Sequence, residues 1–135
     1  MLSILGVQLA LHPDDPPMPV LRGQHQVCYD YEGMSRALGM FNSVSNRLCF
    51  CQGSFASAGL DVVQGIERFA SNIAFVHFRD VIGTVPSFRE CWQDTGVLVL
   101  SAVSFVQVFV ESVCALFSRQ DRYGGMHPRI RTVWG

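Results

Sequence analysis

The stretch Ile4-Leu5-Gly6-Val7-Gln8-Leu9-Ala10-Leu11-His12-Pro13-Asp14-Asp15-Pro16-Pro17-Met18-Pro19 joins a nearly continuous apolar run to a segment dense in proline. An apolar run without polar alternation suits a strand covered on both faces, as in a parallel sheet. The four prolines that follow remove backbone donors and fix φ, so neither a helix nor a central strand continues through them. The stretch therefore predicts a strand over 4–11 that ends at His12 and empties into a loop.

Working outward, Met34, Ala37, Leu38, Phe41 and Val44 recur at three- and four-residue spacing and predict one amphipathic helix over Glu32 to Asn46. A second strand is expected at Arg47 to Gln52. Gly53 to Gly59 is small and polar and reads as a loop, and Leu60 to Ala70 carries Val62, Val63, Ile66 and Phe69 on a helical stripe. A third strand, Ile73-Ala74-Phe75-Val76-His77-Phe78, comes directly after. Strands alternating with helices at this spacing make repeated parallel βαβ units, so the fold class expected is α/β with a parallel sheet or barrel.

Composition bounds the partners. The 135 residues are 49% hydrophobic with ten basic and eleven acidic side chains, a net charge of −1, so there is no polybasic field for nucleic acid or anionic lipid. Five cysteines, Cys28, Cys49, Cys51, Cys91 and Cys114, form an odd set without a CxxC, and no cleavable leader precedes them. That pattern favours a reducing, cytoplasmic compartment.

Beyond Gly96 the texture changes. Val97 to Val110 holds no charged residue, Glu111 interrupts, and Val113 to Phe117 is apolar again. Three readings stand: a marginal membrane span, a buried element of the fold, or sequence foreign to the fold from a shifted frame or altered splice. The expected organisation is a segment 1–96 that begins inside an element, as a fragment would, and a divergent hydrophobic tail 97–135.

Three strand ends each present a metal-binding side chain: His12, Cys51 and His77. In parallel α/β folds the C-terminal strand ends build the active site, so these side chains would converge. Imidazole with thiolate suits iron, manganese or zinc. The plainer alternative is a satisfied core histidine and buried thiols serving as small apolar groups. Asp14 and Asp15 either cap the following segment or orient His12. Arg79 either binds a carboxylate or pairs with Asp80 or Glu90. Gln52-Gly53-Ser54 offers donors beside Cys51 or forms a tight turn.

His12-Pro13-Asp14-Asp15-Pro16-Pro17, Phe50-Cys51-Gln52-Gly53-Ser54-Phe55 and Phe75-Val76-His77-Phe78-Arg79-Asp80-Val81, in that order, together resemble the mannonate dehydratase family over residues 4 to 96. The resemblance implies a xylose-isomerase-like TIM (β/α)8 barrel, of which this chain is a partial one, since a whole barrel takes about 250 residues. It implies a hydro-lyase of hexuronate (glucuronate) catabolism that converts D-mannonate to 2-keto-3-deoxy-D-gluconate with Fe2+ or Mn2+, and it allows a homo-oligomer for the full-length enzyme. On that resemblance the metal ligands are His12, Cys51 and His77, and Arg79 contacts the sugar-acid carboxylate. Cys49 is extra. The family's Arg-Pro-Asp-His phrase, with a further metal ligand and a catalytic histidine, is absent, and His127-Pro128-Arg129 has the residue types in another order. The catalytic acid and base are therefore unknown in this chain, which is expected to be inactive alone. The alternative is a non-catalytic product whose tail associates with membrane or another partner.

Overall fold

β1 (Leu9–Leu11), β4 (Asn46–Cys51) and β5 (Ile73–His77) form a three-stranded parallel sheet in the order β1-β4-β5. The computed structural model describes residues 5–92 together with Val110. The expected α/β class with parallel βαβ units is present. One crossover holds a small hairpin, β2 (Val20–Leu21) with β3 (Gln24–His25), and helix α1 (Tyr31–Gly39); the other holds α2 (Gln52–Ser57) and α3 (Val62–Phe69). The expected tail 97–135 lies outside the described residues except for Val110. No helix among the described residues is long and apolar enough to cross a membrane.

Two-residue alternation in β4 divides its side chains between two faces. Leu48 and Phe50 are fully buried and join Met34, Phe55, Ile66 and Phe69 in the core, with Leu11, Ile73 and Val76 packed against it. Cys49 and Cys51 point the other way and pair in register with Phe75 and His77. Leu9 is 60% exposed, so the first strand is not covered on both faces as its apolar run predicts, and Phe75 on the other outer strand is 56% exposed as well. β1 is also shorter than expected: Gly6 has φ +66°, which breaks the extended run before Leu9.

α1 begins where its sequence says it should. Asp30 accepts from the Gly33 N–H at 2.7 Å, and Met34 and Leu38 face the core. The single helix expected to Asn46 stops at Gly39, because Asn46 turns its side-chain amide onto the Leu38 and Phe41 carbonyls at 2.9 and 3.3 Å. Phe41 and Val44, although helically spaced, are left 72% and 63% exposed. α3 is capped by Asp61, which accepts from Val63 and Gln64, and buries Val62, Ile66 and Phe69 at i, i+4 and i+7. The expected Gly53–Gly59 loop is instead the helix α2, buried along its whole length. Small residues make that possible: Ser57 satisfies its hydroxyl on the Ser54 carbonyl at 3.0 Å, and Phe55 alone supplies a large apolar anchor. An antiparallel hairpin, β6 (Asp80–Thr84) with β7 (Ser87–Cys91), follows β5 and docks on α2 through Val81 and the Val85 N–H to the Ser57 carbonyl at 2.8 Å.

Tyr31 locks α1 to α3. Its ring meets Phe55 and Phe69 edge-on with centroids 5.0 and 5.7 Å away, and its hydroxyl donates to the Asp61 carbonyl at 2.6 Å. Burial pushes the phenol far above its ordinary pKa, so it stays a donor at any physiological pH. Gly65 lies under that hydroxyl: a Cβ there would come within 2.3 Å of the Tyr31 oxygen. Replacing Gly65 by Ala is expected to lower unfolding free energy by about 1–3 kcal/mol despite alanine's better helix propensity. Urea denaturation measures it, and an unchanged or raised midpoint would show that Tyr31 is free to move.

Candidate metal centre

Each candidate ligand sits at the C-terminal end of a parallel strand: His12 directly after β1, Cys51 as the last residue of β4, His77 as the last of β5. Parallel pairing with Cys51 opposite His77 forces the two onto one face at one end. The structure brings all three together, with one ligand atom from each lying within 4.8 Å of the others. It is the one such group among the described residues. The His12 and His77 rings stand 5.0 Å apart, tilted by 53°, and Phe75 meets the His77 ring edge-on at 5.3 Å.

The local contacts prepare these groups as ligands. His12 Nδ1 lies 2.6 Å from the Pro13 carbonyl oxygen. A carbonyl only accepts, so Nδ1 carries the proton and Nε2 keeps its lone pair for an ion, the arrangement common to metal-binding histidines. Cys51 is 1% exposed, and its sulfur accepts a hydrogen bond from the Ser54 hydroxyl at 3.2 Å. That hydrogen bond fixes the position of the sulfur against the N-terminal turn of α2. Two imidazoles and a cysteine sulfur from three elements are a donor set that suits a borderline divalent cation.

Cys49 shares the face but not the cluster. Burial, with Cys51 beside it, pushes its thiol above the ordinary range, so it stays protonated. The two aspartates of the proline-rich loop have separate tasks. Asp14 accepts from the Cys28 N–H at 2.6 Å and donates its own N–H to the Cys28 carbonyl at 3.1 Å. Asp15 faces Arg79, whose Nη1 donates to Oδ2 and whose Nη2 donates to Oδ1 at 3.3 Å. Arg79 Nη1 also lies 3.5 Å from Glu90, and its guanidinium rests 5.8 Å above Phe88. Of the two ion-pair partners expected for Arg79, Glu90 is found, whereas Asp80 accepts from the Val81 N–H at 2.8 Å. The contact on the His12 ring nitrogen comes from the Pro13 carbonyl, while Asp14 and Asp15 bond to Cys28 and Arg79. Sequence reading missed that carbonyl, which every residue carries; the Ser54 donor beside Cys51 is one of the two readings of Gln52-Gly53-Ser54, and it is the hydroxyl that meets the sulfur.

A family model for D-mannonate dehydratase (UxuA) matches residues 2–123. The chain belongs to the mannonate dehydratase family. The match passes Gly96, where the motif resemblance ends. The mannonate dehydratase of Chromohalobacter salexigens is 43% identical over 76 residues, 56% of this chain and 19% of the relative. That of Geobacillus thermodenitrificans is 31% identical over 134 residues, 96% of this chain and 34% of the relative. The crystal structure of mannonate dehydratase from Streptococcus suis serotype 2 superposes with a TM-score of 0.72 at 29% identity, covering 82% of this chain and 32% of that one. The chain thus spans about a third or less of the length of these mannonate dehydratases.

Replacing Cys51 by Ala should abolish the sulfur-to-metal charge-transfer absorption of a cobalt(II) complex of this chain, while Cys49→Ala leaves it in place. Titration followed by visible and near-ultraviolet absorption distinguishes them, and loss in Cys49→Ala with the band kept in Cys51→Ala would move the sulfur ligand to Cys49.

Proposed function

We propose that this chain carries the metal-binding part of a mannonate dehydratase, a hydro-lyase acting on D-mannonate with Fe2+ or Mn2+ held by His12, Cys51 and His77. The observation that carries the reading is the convergence of these three side chains at the C-terminal ends of three parallel strands, in a chain of this family. We infer further that the sheet is a segment of a xylose-isomerase-like (β/α)8 barrel, supported by its two βαβ crossovers and by the placement of the ligands at the strand ends where such barrels keep their chemistry. A metabolic role of this kind belongs in the cytoplasm, in keeping with the unpaired thiols Cys28, Cys49, Cys51 and Cys91.

A bound divalent ion supplies Lewis acidity, making the proton beside a coordinated carboxylate easier to remove. His12 and His77 would hold the ion through ring nitrogens and Cys51 through its sulfur. Arg79, two residues beyond His77, is the cation that would meet the carboxylate of the sugar acid. Its Nη1 lies 3.5 Å from Glu90 Oε1 and the Glu90 side chain is 68% exposed, so an incoming carboxylate takes that position while Asp15 keeps its own hold. Two proton transfers complete the elimination, one from the carbon next to the carboxylate and one to the departing hydroxyl. The family's Arg-Pro-Asp-His phrase, to which one of these roles belongs, does not occur in this sequence.

The test is electron paramagnetic resonance of added Mn2+. Wild-type chain is expected to bind Mn2+ and to change its spectrum when D-mannonate is added, and His77→Ala to bind at least about tenfold more weakly. No formation of 2-keto-3-deoxy-D-gluconate is expected from the chain by itself. Wild-type affinity in His77→Ala would remove the centre from the argument, and turnover of D-mannonate would show that this chain supplies its own acid and base.

A further inference from the structure

We propose that the Asp15–Arg79 ion pair is a positioning device for the metal ligands, fixing the span between His12 and His77. The proposal rests on the reading of His12, Cys51 and His77 as a metal centre. Asp15 follows His12 by three residues and Arg79 follows His77 by two, so the pair ties together the two segments that carry the imidazoles. No backbone ladder does this, because β4 lies between β1 and β5.

Both ends of the tie are anchored. Between His12 and Asp15, Pro13 has a fixed φ and offers its carbonyl to the His12 ring, and Asp14 is held by two hydrogen bonds to Cys28. A displacement of Asp15 is therefore passed to His12 rather than absorbed. Arg79 is pressed against α2: a Cβ on Gly53 would lie 2.7 Å from Arg79 Nε and 2.8 Å from its carbonyl oxygen, so only glycine admits this approach. Gln52 Nε2 donates to that carbonyl at 3.4 Å, and Phe88 underlies the guanidinium. Arg79 Nε is buried and has no hydrogen-bond partner among the described residues, while both Nη atoms serve Asp15. The planar fork thus meets the Asp15 carboxylate through both Nη atoms in one orientation, with the second Nη1 proton left on the Glu90 side, and such a two-point contact is what a geometric constraint requires and a point charge does not supply. Ion pairs near the surface add little to stability, so the consequence falls on ligand geometry.

Cobalt(II) titration of the full 135-residue chain tests this, reading both the ligand-field bands and the sulfur-to-metal band, with circular dichroism and melts of the metal-free variants. D15N and R79K are expected to stay folded, to bind cobalt about 10–100-fold more weakly and to show shifted ligand-field bands. D15E, which keeps the charge, should recover part of the affinity. E32Q, which breaks the exposed Glu32–Arg68 pair between α1 and α3, should match wild type. Wild-type affinity and bands in folded D15N or R79K overturn the proposal. So does a loss of cobalt binding that only follows loss of the folded dichroism in both, since the pair would then hold the fold and not the ligands. A wild-type chain without any sulfur-to-metal band refutes the metal centre itself, a separate failure.

Discussion

The parallel register of β4 against β5, with Cys51 opposite His77 and Phe50 opposite Val76, is the constraint on which both the core and the site depend. Side chains alternate across a strand, so a slip of one residue would exchange the faces. Phe50, now fully buried beneath the helices, would emerge at the site, and Cys51 would enter the core. The hydrophobic effect therefore sets the face of the Cys51 sulfur: burying Leu48 and Phe50 on the helix side puts Cys51 on the opposite face, where the register sets it against His77. The break in pairing between Leu48 and Cys49 lets Leu48 meet Ile73 while Cys49 meets Phe75, so the register is set on the site side as well as in the core.

Most of what positions the site was legible from residue types that act locally. Strands were readable over 4–11, 47–52 and 73–78, against Leu9–Leu11, Asn46–Cys51 and Ile73–His77 in the structure, and the three candidate ligands were readable as residues at strand ends. What escaped the sequence was set by tertiary contact. Helical spacing carried α1 past Gly39 because Phe41 and Val44 keep the period, yet the period says nothing of the Asn46 amide that closes the helix. α2 has too few large apolar residues for any period to register, and its polar side chains, which suggest a loop, are satisfied inside the fold. The β6–β7 hairpin went unread because Asp80, Gly83 and Pro86 resemble a loop until Val81 is seen to be buried on α2.

The proline-rich loop shows how a compositionally odd segment is resolved residue by residue. Pro13 contributes an acceptor to the His12 ring, Asp14 fastens the loop to Cys28, Asp15 reaches Arg79, and Pro17 is fully buried. Four consecutive positions thus have distinct partners: the ring that binds, the carbonyl that orients it, the clamp that fixes the loop and the carboxylate that crosses to the next strand but one. Prolines here lower the conformational entropy of the unfolded loop, so its ordered form costs less to reach.

This arrangement bears on how metal and fold are linked. Without an ion, three donor groups within 4.8 Å of one another gain little from their closeness, and what holds them is the surrounding packing and polar contacts. Binding to such a preorganised set avoids ordering the loop at the moment of association, so more of the metal–ligand interaction is expressed as affinity. An ion bound there would stabilise the folded chain by mass action, because the unfolded chain scatters these donors along its length. Stability and chemistry thus meet at the strand ends: the core sets which face Cys51 occupies, the loop sets where His12 stands, and an ion bound there would reinforce both.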